Sequence, residues 1–143
     1  MFKSKKRLGD MLVEAGVIND MQRSAALGEQ KRWGGKLASL LIYLGFADER
    51  TVATVLEKQL GQKCIALKDK EIPLNILSMV KPSIAKKYNI VPIDFDKRTL
   101  SVAISNPNDL RALDDLTFAL GIKVKPVLAL EYGIKNALGR YYA

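Results

Sequence analysis

Residues Arg7 to Gln30, RLGDMLVEAGVINDMQRSAALGEQ, recur 29 positions later as Lys36 to Gln59, KLASLLIYLGFADERTVATVLEKQ. Five positions are identical: Leu8/Leu37, Leu12/Leu41, Gly16/Gly45, Leu27/Leu56 and Gln30/Gln59. Others change conservatively, including Arg7/Lys36, Val13/Ile42, Asn19/Asp48 and Asp20/Glu49. A repeat of fixed period means two copies of one supersecondary unit. Each copy opens with a cation and closes with a glutamine. Two such units packed together offer a two-fold-related ligand two similar sets of polar groups.

Each copy reads as two short helices. Leu8, Met11, Leu12 and Ala15 fall at i, i+3, i+4 and i+7, one apolar helix face. Gly16 sits where a left-handed residue ends a helix. Asn19 follows as an N-cap, with Gln22 three residues on as its capping-box partner. The second helix runs to about Arg32. The second copy repeats the plan: Leu37, Leu40, Leu41 and Leu44 on one face, a stop at Gly45, an N-cap at Asp48, and a helix through Gln59 ended by Gly61. The linker Lys31-Arg32-Trp33-Gly34-Gly35 frees the turn between them.

The character changes after Gly61. Lys63 to Leu67 is a short strand candidate, and Pro73 and Pro82 each open a helical turn. Residues 90–95 and 100–105 alternate in hydrophobicity, and Asp96-Lys97-Arg98 between them predicts a hairpin. Asn106 to Asp109 is a turn into a helix over Leu110 to Leu120, stopped by Gly121. Ile122 to Leu128 reads as a third strand, and Glu131 to Tyr141 as a last helix. The fold class expected is α+β: an all-helical N-terminal lobe of two tandem helix hairpins, residues 1–60, then a small α/β lobe with about three strands, residues 61–143.

Composition narrows the function. The chain has 143 residues, 48% hydrophobic and 27% charged, which is globular rather than disordered. No apolar run approaches the roughly 20 residues that span a bilayer. The opening MFKSKKRLGD lacks the apolar core of a secretory signal. The single cysteine, Cys64, allows no internal disulfide and fits a reducing cytoplasm. The net charge of +8 suggests an anionic partner. The excess is spread along the chain, with only Lys3, Lys5, Lys6 and Arg7 clustered, which argues against nucleic acid. There is no histidine, so Ser-His, Cys-His and His-ligated metal sites are excluded. No GxxxxGK[ST] loop is present. Asp114 and Asp115 are adjacent, and adjacent helical residues point about 100° apart. The expectation is a chain with no catalytic residues, no metal and no chemistry of its own.

The tandem pattern RLGxxLVxxGxIxxxxxxxALxxQ, a five-residue spacer and a degenerate second copy resembles the N-terminal regulatory domain of type II secretion and type IV pilus assembly ATPases, the MshEN family. The downstream SNPND, LxALDDLTFALG and VKPVLA segments resemble it too. In that family the best-matching tandem motifs are cyclic di-GMP receptors, and an ATPase motor follows the domain. The resemblance therefore implies cyclic di-GMP as ligand and an ATPase motor, in cis or in trans, as partner. It also implies a cytoplasmic location, with recruitment to the inner-membrane face.

The ligand chemistry suits these residue types. An arginine fork reads guanine O6 and N7 bidentately, and a guanidinium also lies flat on a purine. Glutamine offers a donor and an acceptor. Carried over by resemblance, the ligand-binding residues of the first copy are Arg7, Leu8, Gly9, Leu12, Leu27 and Gln30. The second copy supplies Lys36, Leu37, Ala38, Leu41, Leu56 and Gln59. It departs from the motif at Lys36, where arginine is usual, and at Ala38, where glycine is usual. The first copy departs at Arg23, where an apolar residue is usual. Asn106 replaces the aspartate of a family Asp-Pro turn that faces the nucleotide. Trp33 is readable as a base-stacking residue or as cover for a lobe junction, and Cys64 as a small buried apolar residue. A second reading stays open: an adapter that docks the ATPase to the cytoplasmic part of an inner-membrane assembly protein, with nucleotide binding weakened or lost.

Overall fold

The computed structural model describes residues 7–142, and the chain divides into two compact units between Cys64 and Ile65. The first unit is helical: α1 (Leu8–Glu14), α2 (Asp20–Trp33), α3 (Leu37–Tyr43) and α4 (Glu49–Leu60). The repeat in the sequence is a repeat in the backbone. α3 begins and ends 29 residues after α1, and α4 begins 29 residues after α2.

The helix ends repeat as well. Gly16 and Gly45 take φ of 74° and 78°, where a Cβ would be strained. The Gly16 N–H donates to Val13 O at 3.0 Å and the Val17 N–H to Leu12 O at 2.9 Å. In the second copy the Gly45 N–H donates to Ile42 O and the Phe46 N–H to Leu41 O, each at 3.0 Å. Both are Schellman caps, which satisfy the last carbonyls of a short helix. The Asn19 side chain accepts from Gln22 N at 2.8 Å, and the Gln22 side chain accepts from Asn19 N at 2.9 Å, closing the capping box. Asp48 accepts from Thr51 N at 2.8 Å at the equivalent position. Asn19→Ala is expected to lower the stability of the helical unit by about 1 kcal/mol. Urea denaturation followed by far-UV circular dichroism measures it.

Helix α1 packs against α2, α3 and α4, and α2 against α3. The centre is Leu12, Leu41 and Val52, all without exposure, with Ile18, Ala26, Ala53 and Val55 around them. At the end of this unit the Cys64 N–H donates to Glu57 Oε1 at 3.0 Å. Burial, then the Glu57 and Glu49 carboxylates, push the Cys64 thiol up to about 12 from an ordinary 9.0. The thiolate is the reactive form. Alkylation of Cys64 at pH 8 is therefore expected to run about a thousandfold slower in the folded chain than in urea-unfolded chain. Because the fold favours the protonated thiol, this contribution to stability is whole below pH 9 and declines as pH rises from 9 toward 12.

Strand β1 (Cys64–Ile65) straddles the boundary, and the second unit holds α5 (Leu74–Leu77), α6 (Pro82–Tyr88), β2 (Val91–Asp96), β3 (Thr99–Ile104), α7 (Leu110–Leu120), β4 (Lys123–Ala129) and α8 (Glu131–Tyr141). The sheet order is β1-β4-β3-β2. Strands β2 and β3 form an antiparallel hairpin, with Val91 opposite Ala103 and Asp96 opposite Thr99, and with a bulge between Pro92 and Asp94. Its turn residues Lys97 and Arg98 take φ of 49° and 64°, the left-handed values a tight hairpin demands. Strands β3 and β4 are parallel, Thr99 opposite Lys123 through Ile104 opposite Leu128, so α7 is the crossover between them.

The expected α+β class holds, with one difference in the strands. The candidate over Lys63 to Leu67 shortens to two residues, giving the sheet a fourth strand, because Leu67 opens a 3-10 turn over Leu67–Asp69 and is itself wholly buried. The core is built from Leu100, Val102 and Ala103 of β3, Ile90 and Val91 before and in β2, and Ile134, Ala137 and Leu138 of α8. The buried Tyr142 hydroxyl donates to Leu77 O at 2.9 Å and ties the chain end to α5. Among the described residues no helix is long and apolar enough to cross a membrane.

Candidate functional site

The two cations that open the copies occupy equivalent backbone positions. Arg7 and Lys36 are the N-cap residues of α1 and α3, both extended, with φ/ψ of −71°/151° and −86°/140°. Their carbonyls accept the first helical bonds, from Met11 N and Leu40 N, each at 3.1 Å. Both residues are exposed.

Arg7, Gly9, Asp10, Arg23, Leu27 and Leu37 line a cleft of about 340 Å3 in the helical unit. A hollow of about 430 Å3 is lined by Leu27, Gly28, Gln30 and Lys31. Leu27, 43% exposed, belongs to both. These volumes lie within the range of small-molecule sites. The cleft brings together Arg7, Gly9 and Leu27 of the first copy and Leu37 of the second, and Gln30 lines the adjoining hollow.

Gly9 earns its place by close packing. A Cβ there would lie 3.1 Å from Leu37 Cδ2 and 3.5 Å from Arg23 Cδ. Gly9→Ala gains helix propensity worth about 1 kcal/mol, and the flexible Leu37 tip has to yield by tenths of an ångström. The expected result is an unchanged or slightly raised melting temperature together with weaker ligand binding, because the added methyl narrows the cleft. Parallel melting and titration of the one variant check it.

Asp10 and Arg23 are cleft residues that the motif does not contain. The Arg23 Nη1 donates to Asp10 Oδ1, and its Nη2 lies 3.1 Å from Asp20 Oδ1. The signal available in the sequence was a cation at an apolar motif position. The second copy has Ser39 and Val52 at the equivalent places, and Val52 is wholly buried. The first copy alone therefore carries a guanidinium at this position.

The remaining candidates fall elsewhere. Leu12 and Leu41 have no exposed surface, so they hold the helices together and present nothing to a ligand. Ala38 is buried, and Leu8, Leu56 and Gln59 are half-buried. The Gln30 Nε2 donates to Gly35 O at 3.0 Å, which clasps the end of the first copy to the residue before Lys36. Asn106 lies in the second unit, exposed, its Oδ1 accepting from Asn108 N at 3.3 Å ahead of the α7 N-cap Asp109. Trp33 is 70% exposed, with the Arg32 guanidinium carbon 5.2 Å from its ring centre. Among the described residues no cluster of three metal-ligating side chains occurs.

Comparison with known proteins decides the family. The MshEN domain model matches residues 60–143, more than half of the chain. The chain belongs to the MshEN domain family. The tandem helical repeat precedes nearly all of that match, and full-length similarities cover it. The type IV pilus assembly ATPase PilB of Myxococcus xanthus (strain DK1622) is 34% identical over 137 residues, 96% of this chain and 24% of that protein. This MshEN chain thus spans about a quarter of the length of that relative. A structure of MshE with cdg superposes with a TM-score of 0.61 at 33% identity, covering 96% of this chain and 99% of that one. The N-terminal domain of XpsE superposes with a TM-score of 0.60 at 21% identity over 100% of both chains, a likeness of fold.

Proposed function

We propose that this chain is a cyclic di-GMP-binding regulatory domain of a type IV pilus or type II secretion assembly ATPase, with no catalysis of its own. The observation that carries the reading is the cleft in which Arg7, Gly9 and Leu27 of one motif copy meet Leu37 of the other. The 33% identity to MshE, solved with cdg, supports the same ligand. The similarity to PilB supports a motor domain as the partner, joined in cis or acting in trans in the cytoplasm. Binding would favour one arrangement of the repeats and so bias what the motor reads. Isothermal titration with cyclic di-GMP, with GTP as control, tests it. One ligand per chain at low-micromolar affinity or better is the expected result, and no heat at millimolar ligand refutes it.

A second reading is favoured by the second copy. Lys36 lacks the planar fork of arginine, and Ala38 adds a methyl at the close-approach position. In this reading the domain is an adapter that docks the motor at the inner-membrane face through an assembly protein. A chain silent toward cyclic di-GMP that still co-purifies with that protein's cytoplasmic part would support it. A chain that binds the nucleotide and captures no such protein at low salt would exclude it.

A further inference from the structure

We propose that Arg23 is a stacking platform for a planar base in the helical cleft, an inference that rests on the nucleotide reading above. Arg23 lines the cleft with Arg7, yet the two guanidinium groups are held differently. Among the described residues the Arg7 side chain has no ion pair, so its edges are open to a ligand. The Arg23 Nη1 donates to Asp10 Oδ1 and its Nη2 lies 3.1 Å from Asp20 Oδ1, an ion pair to each of two different helices. Its stem lies against Gly9, within 3.5 Å of where a Cβ would be. Two carboxylates and a packed stem restrain the group and engage part of its outer edge. The side chain stays 31% exposed, which leaves surface for a ligand, and its flat face is the part that a planar ring fits.

A guanidinium face attracts an aromatic ring and stacks on it, and a purine is such a ring. The pair of arginines then divides the work on one base: Arg7 reads its edge and Arg23 covers its face. Val52 stands at the equivalent place in the second copy and is buried, so only the first half-site has this platform. This offsets a second half-site whose reader is Lys36.

The test uses the whole chain and cyclic di-GMP. Arg23→Lys keeps the charge and can keep the carboxylate partners, but removes the plane. It is expected to weaken binding about tenfold with the melting temperature unchanged. Asp10→Asn is expected to weaken binding a few-fold, because a loosened guanidinium is a poorer platform. If Arg23 instead read a base edge, Asp10→Asn would free that edge and tighten binding, which overturns the proposal. Binding of Arg23→Lys within twofold of the unaltered chain also overturns it while leaving the nucleotide reading standing. No binding by the unaltered chain overturns both.

Discussion

Arg7→Ala is expected to weaken cyclic di-GMP binding by about ten- to two-hundredfold, the worth of one bidentate arginine–guanine contact. Lys36→Ala is expected to cost less, because an ammonium is a point charge without the planar fork. The contrast matters more than either number, since the two residues occupy equivalent N-cap positions with nearly the same backbone angles. Backbone effects are therefore matched, and the difference reports side-chain chemistry. Titration of both variants under one buffer gives the ratio. Equal and negligible losses would mean that the cleft does not hold the nucleotide, and a larger loss from Lys36→Ala would move the principal half-site to the second copy. Salt has to be held fixed, because exposed charges are screened over about 10 Å at 0.1 M.

Leu12→Ala is expected to destabilise the helical unit by about 2–5 kcal/mol, the usual cost of deleting a wholly buried leucine side chain. Leu27→Ala, at a site 43% exposed, is expected to cost under about 1 kcal/mol in stability and to reduce binding instead. The two leucines carry the same letter in the same motif. Urea denaturation and ligand titration of both variants separate them: Leu12→Ala should move the denaturation midpoint, and Leu27→Ala the affinity. If Leu27→Ala unfolded the chain and left affinity intact, the cleft assignment would be wrong.

That pair also shows how far a motif can be read. The period of 29 residues appears unchanged in the helix starts, the Schellman caps and the N-caps, because each of these is set by residues within a turn of one another. Whether a leucine faces the core or a cleft depends on which helices pack on it. Leu12 lies on α1, which packs against three other helices, and has no exposed surface, whereas Leu27 on α2 keeps an open side, and nothing within either copy distinguishes them. Asp10 and Arg23 are 13 positions apart on different helices, so their pairing is a fact of packing. The sequence could show only that Arg23 broke the pattern. β1 is shorter than the candidate over Lys63 to Leu67 for a related reason: the apolar residues of that stretch serve a strand edge and then a buried 3-10 turn, and periodicity does not separate the two.

The margins of the sheet bear on how the chain behaves at the concentrations a titration needs. Strand β2 is an outer strand, and it carries Pro92, a bulge, and the exposed acids Asp94 and Asp96. On the other side β1 covers β4 with only two residues, but β4 brings exposed Lys123 and Lys125 and then Pro126. Proline withholds a donor, a bulge breaks the row of amides, and like charges repel a second copy of the same edge. Neither margin offers the long, flat, uncharged ladder on which strands of separate molecules add to one another. The sheet thus carries its own defence against edge-to-edge aggregation.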